Sequence, residues 1–202
     1  YKEIYIYPTE FRILIEHKGL LDLENTIFNN GGCENIDLAI KDFLWLCSNL
    51  ARKTTKFTRK GFDYDRNTNN MFSEAINSFI NEITDYKYMM NWHYYDFQKN
   101  YIKSQLERYT SRIFGTSFFE QEAFMSNIEY TEFQKCVKNL LIKILENSKC
   151  KDHSENEIIA VHNVLNPYSS HSIDNVKKYF DDFLIIIVDR DPRDVFLDFP
   201  KN

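Results

Sequence analysis

Leu184-Ile185-Ile186-Ile187-Val188 is an unbroken apolar, mostly β-branched run, and it ends in the charged stretch Asp189-Arg190-Asp191-Pro192-Arg193-Asp194. A strand without alternation has no solvent face, and sheets buried on both faces are in practice parallel, with helices above and below. Asp191 can cap a helix, Pro192 fits the first helical position, where its missing N–H does no harm, and Asp194 follows three residues after the cap. The spacing predicts strand, tight turn, helix. Upstream, Glu157-Ile158-Ile159-Ala160-Val161 is a second short apolar run and Ser172 to Asp181 a short helix. Strand, helix, strand over about 30 residues is the βαβ unit of an α/β domain.

The other end reads similarly. Tyr1 to Tyr7, YKEIYIY, alternates until Pro8 interrupts it, which predicts a short strand. Phe11 to Ile15 is too short for its period to separate strand from helix. Between the ends the period changes to 3.6. Ile36, Ala39, Ile40, Phe43, Cys47 and Leu50 predict a helix from Glu34 to Ala51, and Phe72 to Ile83, Ile102 to Ile113 and Phe133 to Leu145 predict three more. Gly31-Gly32 reads as a helix C-cap. Only nine of the 202 residues are Gly or Pro, so turns are few and elements long. The expected fold class is α/β: a small parallel sheet flanked by helices, in one domain over 1–202 with a large helical insertion at 34–148.

A net charge of −5 argues against the duplex phosphate backbone as the main partner. Cys33, Cys47, Cys136 and Cys150 make no CxxC, and the five histidines make no HxH or HExxH, so neither a metal centre nor a disulfide scaffold is signalled. A reducing, cytoplasmic setting is the default. No window holds 18 consecutive apolar residues, so no membrane span is expected.

Four features carry candidate chemistry, each beside a plainer reading. Arg190 stands two residues past a strand end, where α/β sheets bind ligands, and could grip a phosphate; equally, Asp and Arg at such a junction cap the helix and pair with each other. His162 follows the Ile158 strand and would face the same pocket, or be a hydrogen-bonded structural histidine. Arg52 to Lys60 holds five cations in nine residues with no acid, a solvated loop or a basic lid over an anion. Tyr86 to Phe97 is dense in aromatics, either core packing beneath the helices or a wall that stacks on an acceptor's sugar rings.

Val188-Asp189-Arg190-Asp191-Pro192-Arg193-Asp194-Val195-Phe196 resembles the second cofactor motif of the P-loop sulfotransferases, in which a strand ends in Arg-Asn/Asp-Pro-Arg-Asp. The resemblance implies a fold of the P-loop NTPase type and 3′-phosphoadenosine 5′-phosphosulfate (PAPS) as sulfuryl donor, with Arg190 on its 3′-phosphate and Arg193 supporting Arg190 or pairing with Asp191. Thr9-Glu10-Phe11-Arg12-Ile13-Leu14 is similar to the segment after the P-loop in members acting on proteins and sugars; it implies Glu10 as the base and Arg12 as its orienting cation. Read as residues alone, Glu10 and Arg12 are an i, i+2 pair on one strand face. Two departures stand out. Asp198 occupies the cofactor position where the family usually has Ser, and no Gly-rich phosphate cradle lies in these residues, so the chain is expected to lack the family's first element.

The expected function is sulfuryl transfer from PAPS to a hydroxyl of a saccharide or glycan-type acceptor, with no metal and no duplex nucleic acid. The rivals are a noncatalytic helical protein-interaction domain and another P-loop transferase, such as a small-molecule kinase.

Overall fold

The computed structural model describes residues 4–54, 62–90, 121–148, 158–162, 172–180 and 182–186, together with positions 92, 94, 105–106, 109, 112–113 and 164–165. Strand β1 (Ile4–Ile6) pairs in parallel with β4 (Ile158–Ala160), Ile4 opposite Ile158 and Ile6 opposite Ala160. The pairing runs past both strands: the Tyr7 N–H donates to the Ala160 carbonyl at 2.9 Å and the Phe11 N–H to that of His162 at 3.0 Å. Pro8, which has no N–H to give, ends the regular ladder. Parallel partners require a crossover, and here the crossover is most of the chain.

Phe11 to Gly19 is neither strand nor regular helix but a series of tight turns that bury Phe11, Ile13 and Leu14 completely. Helix α1 (Leu20–Asn29) follows, then α2 (Cys33–Ala51), the one-turn α3 (Tyr64–Asn67) and α4 (Phe72–Ile83). After the strands β2 (Tyr86–Met90) and β3 (Gln121–Met125) comes α5 (Tyr130–Glu146); the short α6 (Ser172–Lys177) follows β4. The apolar stripes of α2, α4 and α5 meet in one core, where Phe79 packs edge-on against Phe43 and Phe133 with ring centres 5.8 and 6.1 Å apart. Each of these rings is at most 1% exposed, and burial of one contributes about 1.5–3 kcal/mol.

Mixed α/β architecture with a small sheet and several helices is what the chain forms, with four differences from the sequence reading. The stretch 34–148 is not all helical: β2 and β3 form an antiparallel ladder, Tyr86 opposite Met125 and Met90 opposite Gln121. The aromatic run beginning at Tyr86 does not start beneath the helices: strand geometry turns Tyr86 (62% exposed) outward, stacked on Tyr88 with ring centres 6.1 Å apart, and of its described residues Trp92 reaches back to the buried Asp37 of α2. The Ile102–Ile113 stripe is helical at its described positions, yet Leu106, Tyr109 and Ile113 are exposed, so it does not face the core. Residues 184–186 form no strand. Leu184 is 85% and Ile186 79% exposed, since a buried strand needs both a ladder partner and cover, and among the described residues this run has neither; 187–188 lie outside them.

Gly31-Gly32 is the α1–α2 connection. Asn30 is the C-cap of α1 and Gly32 the N-cap of α2. Among the described residues no helix is long and apolar enough to cross a membrane.

Candidate functional site

The parallel pairing of β1 and β4 brings their carboxyl ends to one edge, and this is how Glu10 and His162, far apart in sequence, become neighbours. The backbone that carries them is joined directly by the Phe11 N–H to His162 carbonyl bond. His162 is solvent-exposed at this edge, and Glu10 is half-buried.

Arg12 organises the turn after β1. Its Nε donates to Glu10 Oε2 at 2.5 Å, its Nη2 pairs with the same oxygen, and its Nη1 donates to Glu16 Oε2 at 2.7 Å. Glu10 and Arg12 therefore pair as their spacing predicts, but across a turn and not on a strand face. Burial by itself would lower the Arg12 pKa; the hydrogen bonds and negative charge of Glu16 and Glu10 outweigh it and raise the pKa above its ordinary value. All three side chains are about a third exposed, so water screens the network and each pair stabilises by at most about 1 kcal/mol. The Arg12 guanidinium also lies over the Phe62 ring, 5.0 Å from its centre.

Tyr64, from α3, locks this turn from below. Its hydroxyl accepts the Arg12 N–H at 2.8 Å and donates to the Glu10 carbonyl. It is fully buried, edge-on to Tyr7 and Phe72, and burial raises its pKa far above that of an ordinary tyrosine. One buried hydroxyl thus satisfies both backbone groups flanking Phe11 and fixes where the Glu10 side chain leaves the chain.

Two buried carboxylates hold the surrounding frame. Asp37, fully buried on α2, accepts from Lys41 Nζ at 2.9 Å, Trp92 Nε1 at 2.8 Å and the Phe124 N–H at 2.9 Å, tying β3 to α2. Glu24 on α1 accepts from Tyr130 at 2.8 Å, Lys178 at 3.1 Å and the Tyr179 hydroxyl, joining α1, α5 and the end of α6. A buried charge is tolerated only with such partners. Both residues carry a sequence signal that was passed over: an acid inside an apolar helical stripe, Asp37 between Ile36 and Ile40 and Glu24 between Leu23 and Ile27.

Two surface hollows flank this frame. One, about 510 Å³, is lined by Lys53, Asp63, Arg66, Asn69 and Asn70; the other, about 400 Å³, lies between α1 and α2 and is lined by amides, apolar groups and Asp42, with no cation. Of the residues expected to bind the donor, Arg190, Arg193 and Asp198 lie outside the described residues, as does Asp191. The structure brings Glu10, Arg12 and His162 to one edge and adds Tyr64, which nothing in the sequence pointed to. A carboxylate oriented by a guanidinium at the carboxyl end of a strand can accept a proton from a bound hydroxyl.

Comparisons with family models, with curated proteins and with solved structures find no match to this chain.

Proposed function

We propose that the chain belongs to a PAPS-dependent sulfotransferase of the P-loop type and transfers a sulfuryl group to a hydroxyl of a saccharide or glycan-type acceptor. The observation that carries this reading is the parallel β1–β4 pair, with Glu10 at the carboxyl end of one strand and His162 at that of the other. Open α/β sheets bind ligands at this edge, and the Arg190 motif follows β4 and α6 in the chain.

In the proposed step the acceptor oxygen forms a bond to sulfur while the bond from sulfur to the 5′-phosphate oxygen breaks. The products are a sulfate ester, adenosine 3′,5′-bisphosphate and one proton. Glu10 receives that proton, and Arg12 holds the carboxylate in place to receive it. Arg190 binds the 3′-phosphate of the donor through paired hydrogen bonds, with Arg193 in support. The reading requires the Asp198 carboxylate to face away from that phosphate, since an anion facing it would repel it.

The test is calorimetry of the full-length protein with adenosine 3′,5′-bisphosphate. Saturable binding that Arg190→Ala weakens by at least about tenfold is expected, the loss of roughly 1.5–3 kcal/mol that a charged hydrogen bond carries. No heat, or binding indifferent to Arg190→Ala, rejects the reading in favour of the noncatalytic one; displacement of the bisphosphate by ATP at equal concentration favours a kinase-like transferase.

A further inference from the structure

The 510 Å³ cleft has a charge pattern that the Glu10 edge does not explain. Lys53, just past the C-terminal end of α2, and Arg66 of α3 line it together with Asn69 and Asn70. Both cations are exposed, and among the described residues neither has an ion-pair partner. The acid in the lining, Asp63, is already engaged: its Oδ1 accepts the Thr54 N–H at 3.1 Å. Asp65, next along, has both carboxylate oxygens on Ser73, accepting from its N–H at 2.9 Å and its hydroxyl at 2.7 Å, at the start of α4. Neither acid forms an ion pair with these cations, and the lining, with Lys53 and Arg66 against the single carboxylate of Asp63, stays net positive.

The cleft is also built, not incidental. Asp63, Asn69 and Asn70 hold left-handed backbones, with φ of 55°, 53° and 66°, a conformation that Asp and Asn adopt more readily than other non-glycine residues, and backbone contacts fix it here. Those contacts are visible: the Asp63 N–H donates to the Arg52 carbonyl at 3.2 Å, the Asn70 N–H to the Asp65 carbonyl at 2.6 Å, and Asn69 Nδ2 to the Asn147 carbonyl at 3.3 Å. The same short segment faces two ways. Phe62 and Tyr64 contact Arg12 and Glu10, while Asp63 and Arg66 line the cleft, so one segment, 62–66, serves both places.

We propose that this cleft is an oxyanion subsite, in which Lys53 and Arg66 hold a sulfate, phosphate or carboxylate group while the asparagine amides supply neutral donors. Its assignment to an anionic group on the acceptor rests on the sulfotransferase reading; the binding of an oxyanion does not.

The experiment titrates the full-length protein with inorganic sulfate at about 10 mM salt, where exposed charges are least screened, against Lys53→Ala, Arg66→Ala and the double variant. Both substituted positions are exposed, and circular dichroism checks the fold. Saturable binding, weakened roughly three- to fivefold by each single change and more by both, is expected. Binding that does not saturate, is equal in the double variant, or is displaced by chloride at matched ionic strength overturns the site. A second arm compares a disaccharide carrying one uronic acid with its neutral counterpart. Tighter binding of the acidic sugar that disappears in the double variant supports the acceptor role, and sulfate binding without that preference overturns it. Adenosine 3′,5′-bisphosphate separates the two readings: its binding is expected to survive the double variant, and its loss there would merge the cleft with the donor site. Failure of bisphosphate binding in the unaltered protein counts against the transferase alone, since the sulfate arm stands or falls without it.

Discussion

Tyr64 shows how much one hydroxyl can position. It answers the Arg12 N–H and the Glu10 carbonyl at once, in a place water does not reach. Tyr64→Phe keeps the ring and leaves the Arg12 N–H and the Glu10 carbonyl only their mutual 3.0 Å bond, so it is expected to cost about 0.5–1.5 kcal/mol in urea denaturation. An unchanged midpoint would mean that the turn finds other partners. The pairing of Glu10 with Arg12 was legible from their spacing, although the strand face inferred for it was wrong. Tyr64 was not legible at all, because 54 residues separate it from the carbonyl it binds and no periodicity links them. The proposed roles of Arg190 and Arg193 come from sequence resemblance, not from local geometry.

At the level of elements, the turn from Phe11 to Gly19 decides how α1 enters the fold. A Cβ on Gly19 would stand 2.7 Å from both the Glu16 and Ile13 carbonyl oxygens. Those are backbone atoms inside a buried turn and cannot swing aside, so Gly19→Ala is expected to destabilise the protein by about 1–3 kcal/mol. Gly32→Ala is the control, for its nearest neighbour is a side-chain nitrogen at 3.6 Å, and its thermal midpoint should be almost unmoved. Equal shifts for the two would show that loss of glycine flexibility, not the close approach, sets the effect. The helices α2, α4 and α5 follow their apolar stripes closely, since a stripe at 3.6 spacing has one way to be buried. Strands β2 and β3 were missed because a ladder is made by two segments, and the partner of Tyr86 is Met125.

Across the whole molecule, three buried tyrosines, the neighbours Tyr7 and Tyr64 and the distant Tyr179, report on the fold together. Burial raises the pKa of Tyr7, Tyr64 and Tyr179, with the Glu24 charge adding to the last. Each is therefore neutral in the folded protein at a pH where the unfolded chain, titrating near 10, has lost the proton. The folded state then binds more protons, so stability is fully present below about pH 10 and falls as pH rises, by about 1.4 kcal/mol per pH unit for each tyrosine. Lys178, whose pKa is also raised because the hydrogen bond and charge of Glu24 outweigh its burial, adds to the same alkaline loss. Thermal midpoints between pH 8 and pH 11, expected to fall steeply above about 10, check this; the slope should flatten in Tyr64→Phe, and an equal slope there would exclude that tyrosine from the linkage.

The period and reach of its apolar residues let the chain itself determine where the main helices lie, that Ile4–Ile6 and Ile158–Ala160 are strand-forming, and that Glu10 and Arg12 attract each other. These are local properties, set by side chains a few positions apart. Only tertiary structure decided that β1 and β4 run parallel with Glu10 and His162 on one edge, that Tyr64 reaches the Glu10 turn, that Asp37 and Glu24 are buried with partners, and that Lys53 and Arg66 face one hollow. Each of these joins groups that are distant along the chain. Such a pairing arises from packing the whole core, which no local pattern encodes.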